Sequence, residues 1–178
     1  MSFFDRLLGS GVPKGFVGRL EPHEAVAASA PVRGGGHIVA TSLGLWVPDG
    51  DGTRRIGWHL VAKATWGSGV FVITEAEESE RAGEAVILAD RHPVRVVVEA
   101  PGKLPQAVHR RVTGSIRSRH HRELPGGGAW FVQRKVPGQD GILLQVRPDP
   151  GTDLDAVRVL AAEVSAKITA ARGVGGLE

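Results

Sequence analysis

Hydrophobic and polar positions alternate most regularly from Arg55 to Trp66. Ile56, Trp58, Leu60, Ala62, Ala64 and Trp66 take the even positions, and Arg55, Gly57, His59, Val61, Lys63 and Thr65 the odd ones. A period of two predicts one strand whose even side chains are buried. Ahead of it, Asp49, Gly50, Asp51 and Gly52 are tight-turn residues, so Leu45, Trp46 and Val47 should fold back on 54–57. A weaker turn at 42–44 would pair 38–41 with 45–47, and the turn at 67–69 would lead into 70–75. The pattern predicts a meander whose core includes Leu45, Trp46, Ile56, Trp58, Leu60 and Trp66.

Before this meander, 24–32 reads as a strand of small residues joined to it by Gly34, Gly35 and Gly36. After it, the acid-rich stretch 75–84 reads as a solvated loop, 84–89 as a strand, and 93–99 as a strand with Val94, Val96 and Val98 inward. Leu104, Val108, Val112 and Ile116 recur at i+4 behind Pro105, which predicts a helix over 103–116. The next strand, 116–124, has two polar faces and belongs at a sheet edge or in a projecting arm. Past a flexible glycine turn at 126–128, the stretches 129–136 and 142–147 form a hairpin. Its apolar face is expected to combine Trp130, Val132 and Val136 with Ile142, Leu144 and Val146. Thr152 or Asp153 can cap a final amphipathic helix with Val157, Leu160, Ala161, Val164, Ile168 and Ala171 inward, ending near Gly173. At the other end, Phe3, Phe4, Leu7 and Leu8 share one face of a short turn that lies on the protein's own surface or touches a membrane or partner.

Composition narrows the chemistry. With no cysteine, disulfides, thiolate nucleophiles and thiolate-held metals are excluded. No run is apolar enough to span a bilayer and the N-terminus lacks a signal-peptide pattern, so the cytoplasm is the expected location. A net charge of +3 points to no particular partner, but its distribution is uneven. Between 103 and 122 stand Lys103, Arg110, Arg111, Arg117, Arg119 and Arg122 with no acid among them. These six are the candidate ligand-binding residues, for an acidic protein partner or an anionic lipid headgroup; the alternative is an edge kept polar against sheet-to-sheet association. No aromatic residue is interleaved with them, which disfavours nucleic acid. His109, His120 and His121 suggest no metal site, because adjacent strand residues point apart. No Ser/His/Asp spacing, HExxH or Walker lysine is present, and no cofactor is expected; an enzyme reading would have to use residues such as His59 and Arg55.

The sequences GHIVAT (36–41), GLWVP (44–48), RRIGWHLVAKATW (54–66) and GVFVITE (69–75) resemble the bacterial pleckstrin-homology-like and GRAM-like modules. LPxxVxxRVTxS at 104–115 and RxVPGxDG at 134–141 are similar to small uncharacterised PH-like proteins of actinobacteria. The resemblance covers about 21–152. It implies an α+β fold, a strongly bent antiparallel sheet or partly open barrel with a mid-chain helix and a C-terminal helix. It further implies an N-terminal segment (1–20), a PH-like core (21–116), and an extension (117–178) packed on the same domain. The family has no assigned activity. The expected function is therefore a non-catalytic binding module, most simply for a protein, with headgroup binding and an uncharacterised enzyme as alternatives.

Overall fold

Tight turns set the first sheet in a computed structural model that describes residues 11–174; the segment with Phe3, Phe4, Leu7 and Leu8 lies outside the described residues. β1 (Val26–Pro31), β2 (His37–Thr41), β3 (Gly44–Asp49) and β4 (Gly52–Gly57) are joined antiparallel in that order. Leu45 lies opposite Ile56 and Trp46 opposite Arg55, and the hairpin closes where Asp49 faces Gly52. Gly50 turns the corner at φ 57°, a conformation that costs glycine no Cβ clash.

The strand expected over 55–66 is broken. Trp58–Leu60 forms a 3-10 turn between β4 and β5 (Val61–Gly67). The turn advances the side-chain phase, so that Val61, an odd position, is fully buried. A bulge between Val61 and Lys63, opposite β6 (Val70–Ala82), then returns Ala64 and Trp66 to the core side. Leu45, Trp46, Ile56 and Trp58 are buried, whereas Leu60 and Trp66 are half-buried and pack against the core.

The acidic stretch after Glu75 is strand rather than loop. The first half of β6 pairs with β5 and β8 (Val94–Val97), and its second half with β7 (Ala85–Asp90). Its polar side chains hide it from a periodicity reading, but Gly83 at φ 63° turns the chain so that the apolar strand 85–88 satisfies its backbone. The chain accordingly divides into two compact units. The first holds the described residues up to Glu75 together with Arg91–Ser115, and the second holds Ala76–Asp90 with the residues from Ile116 onward. Residues 76–90 thus interrupt the contiguous core expected over 21–116, because β6 runs on past Glu75 and returns as β7.

In the first unit the four-stranded sheet, β5, β8 and the start of β6 enclose a core that contains Ile38, Leu45, Trp58 and Phe71. α1 (Leu104–Ser115) adds Leu104 and Val108 to that core, while Ile116 opens β9 instead of ending the helix. Val96 and Val98 are buried; Val94 keeps the inward parity opposite Ile73 but begins its strand and stays 40% exposed.

In the second unit the order is β6, β7, β11 (Ile142–Pro148), β10 (Gly127–Lys135) and β9 (Ile116–Leu124), antiparallel except for the β7–β11 pair. Phe131 faces Val146 and Trp130 faces Arg147. Trp130 and Val132 therefore lie on the opposite side of the sheet from Leu144 and Val146, not beside them as expected. α2 (Leu154–Val174) covers the Phe131 side with Val157 and Ala161, and Leu160, Val164 and Ile168 flank them. Asp153 caps it by accepting from the N–H groups of Asp155 and Ala156. Ala171, expected on the inward stripe, is exposed, whereas Ser165 is buried and accepts the Glu84 N–H at 2.9 Å. The fold is α+β, with a strongly curled sheet of β5, β6 and β8, one mid-chain helix and one C-terminal helix. No helix among the described residues is long and apolar enough to cross a membrane.

Candidate functional site

The linear basic run is divided between the units. Lys103, Arg110 and Arg111 stand at or on α1 in the first, and Arg117, Arg119 and Arg122 on β9 in the second. None of the six has an ion-pair partner among the described residues. Elsewhere arginines are matched to acids: Arg33 to Glu99, Arg54 to Glu75, Arg81 to Glu78, Arg147 to Asp90 and Arg158 to Glu80. Arg19, Lys63, Arg95, Lys135 and Lys167 likewise stand in no ion pair among the described residues, so β9 is set apart by density, with three arginines within six residues.

β9 is the terminal strand of its sheet, paired only with β10, and Arg117, Arg119, His120, His121 and Arg122 are all exposed. Register determines what each one meets. Arg119 and His121 lie opposite Val132 and Trp130, while His120 and Arg122 lie opposite Phe131 and Ala129 on the other side; Arg117 falls in a bulge. Arg119 places its guanidinium carbon 4.2 Å from the Trp130 ring centre, a cation–π geometry. The His121 ring meets the same indole edge-on at 5.0 Å, and its Nε2 lies 2.7 Å from Asp149 Oδ2. The aromatic residue missing from the linear run is therefore supplied by the neighbouring strand. Counting outward from the turn at Pro125 and Gly126 pairs His121 with Trp130, so hairpin arithmetic was the signal that could have revealed the contact.

Gly128 makes this arrangement possible. A Cβ there would stand 2.5 Å from the His121 ring and 2.6 Å from the Arg122 carbonyl, so only glycine lets β10 pass beneath that side chain. The turn expected to be flexible is instead tied to the start of α2: Thr152 donates its hydroxyl to the Gly128 carbonyl at 2.8 Å and accepts the Gly128 N–H at 3.0 Å. Farther along β10, Arg134 is buried. Burial first, and then the charge of Arg147, lowers its pKa to about 10, which leaves it cationic at neutral pH.

The first unit holds a second polar cluster that sequence reasoning missed. The Glu24 side chain has no exposed surface and accepts hydrogen bonds from Thr41 Oγ1 (2.5 Å), Trp46 Nε1 (2.9 Å), Arg55 (2.5 Å) and the Glu21 N–H (3.0 Å). Burial pushes its pKa up, but the Thr41, Glu21 and Trp46 hydrogen bonds and the Arg55 charge together outweigh it and hold the carboxyl below its ordinary value. Arg55 also binds Glu21 at 2.5 Å and lies 5.6 Å from the Trp46 ring, which Phe16 meets edge-on. Arg55, which with His59 an enzyme reading would recruit, is thus engaged in anchoring the segment before β1 onto β3 and β4. His120 and His121 diverge as adjacent strand residues must, and no group of three His, Asp or Glu side chains able to hold a metal occurs among the described residues.

In comparisons with protein-family descriptions, curated proteins and solved structures, none matches the chain.

Proposed function

We propose that the chain is a PH-like, non-catalytic binding module that docks a protein partner on the basic edge strand β9. The order within the first unit supports the PH-like part of this reading: four strands, then three, then a helix that contributes Leu104 and Val108 to their common core. The observation that carries the binding part is the set of three exposed arginines on β9 without an acid partner in a protein that pairs many of its others. Like charges gathered on one strand repel each other, and an acidic partner surface would relieve that repulsion. The lipid alternative has less support because β9 by itself offers three arginines, and each basic residue near an anionic leaflet contributes only about 1 kcal/mol.

The test compares the intact protein with an Arg117→Ser, Arg119→Ser, Arg122→Ser variant in two assays. Cross-linking in cell extract followed by mass spectrometry should give acidic protein partners for the wild type that the variant loses. Cosedimentation with anionic and with neutral vesicles should be equally poor for both. Salt-sensitive sedimentation of the wild type alone with anionic vesicles would transfer the site to lipid headgroups.

A further inference from the structure

We infer that the free edge of β9 takes up an acidic, extended segment of a partner protein as an added strand, an inference that rests on the reading of β9 as the docking site. Strand addition requires an open row of backbone donors and acceptors. β9 spans nine residues and is paired on one side along its length, from Leu124 opposite Gly127 to Ile116 opposite Arg134. No strand borders its other side among the described residues. Long open edges are normally shortened, covered, interrupted by proline or loaded with charge; this one has the bulge at Arg117 and a row of basic side chains, which opposes like strands but leaves the backbone open to an acidic one.

The side chains define the occupant. Arg119 and His121 flank the edge on one face, and His120 and Arg122 on the other, so an added strand meets basic groups whichever way its pleat falls. Cross-strand pairs of opposite charge stabilise and like pairs destabilise, which selects a segment with acids on both faces. The same rule disfavours a second copy of this chain, because β9 laid against β9 would set arginine and histidine against their like. Single-stranded nucleic acid is disfavoured too, since the neighbouring indole of Trp130 already carries the Arg119 guanidinium. That stacking has a positive consequence: it holds Arg119 in place before the partner arrives and so reduces the ordering cost of binding. Asp149 lies against His121 and Glu123 adds one exposed carboxylate beside the turn, leaving Arg117, Arg119 and Arg122 as the cationic charges a partner must match.

The experiment uses the full chain and a fluorescent nine-residue peptide of Glu and Thr in alternating pairs, which sets acids on both faces of an added strand. It is compared with a fully N-methylated version, which keeps its carboxylates but cannot donate to a β-ladder, and with a Lys/Thr counterpart. At low salt the Glu/Thr peptide should bind and slow amide exchange along β9. N-methylation should weaken binding at least about tenfold, and the triple Arg→Ser variant by about tenfold, as expected for three exposed ion pairs. The substituted residues are exposed, and unchanged circular dichroism would show that the variant folds. Equal binding of the plain and N-methylated peptides, both lost in the variant, would overturn strand addition while leaving β9 as a charge-dependent docking site. Binding of neither acidic peptide, or equal binding of the Lys/Thr peptide, would overturn both.

Discussion

Replacing Trp58 with Ala should lower the stability of the first unit by about 3–5 kcal/mol, the range for buried aromatic side chains. Trp58 is the largest of the fully buried side chains, 2% exposed, and its Nε1–H donates to the Thr41 carbonyl at 2.9 Å. The substitution removes both the packing and the hydrogen bond, and it does so at the 3-10 turn that sets the phase of β5. Trp58→Phe keeps most of the volume and leaves the Thr41 carbonyl without that donor, so its cost should be nearer 1 kcal/mol. Trp66 is half-buried, with its ring 4.7 Å from that of Phe71, and Trp66→Ala should cost less than Trp58→Ala. Urea unfolding followed by far-UV circular dichroism ranks the three. A Trp58→Ala midpoint equal to that of the wild type would contradict its place in the core.

The second large effect is expected at Glu24. Glu24→Ala removes a buried acceptor shared by Thr41, Trp46 and Arg55, and deprives one buried indole N–H and part of a guanidinium of their partner. The expected cost is roughly 3 kcal/mol, since hydrogen bonds to charged groups and half-broken buried pairs lie at the upper end of polar contributions. The same site predicts acid sensitivity. The folded pKa of Glu24 lies below its ordinary value of 4.5, so its contribution is fully present above that pH and is lost as pH falls through the folded value. Unfolding midpoints measured from pH 7 downward should therefore fall less steeply below pH 4.5 in Glu24→Ala than in the wild type. Parallel profiles for the two proteins would show that the carboxylate is not the group being titrated.

Local chemistry determined those parts of the protein that depend on neighbours in sequence. The Gly50 turn placed Leu45 against Ile56, the i+4 repeat of Leu104, Val108 and Val112 made α1, and Asp153 with the stripe from Val157 to Ile168 made α2. The basic edge strand was legible for the same reason, because a strand polar on both faces has no apolar side to bury. Tertiary structure decided what distant partners supply. The alternation of 55–66 gave no sign of the Trp58–Leu60 turn, since a phase slip followed by a bulge leaves the pattern nearly intact. Glu75 to Glu84 read as loop because the backbone of its strand part, Ala76 to Ala82, is satisfied by β7 rather than by a feature of its own sequence. Glu24 looked like an ordinary acid until β2, β3 and β4 brought Thr41, Trp46 and Arg55 around it, and Arg119 looked bare until the β9–β10 register set Trp130 beside it. Periodicity records which side of an element is buried; only long-range pairing determines which side chains share that side, and the contacts proposed for function depend on that pairing.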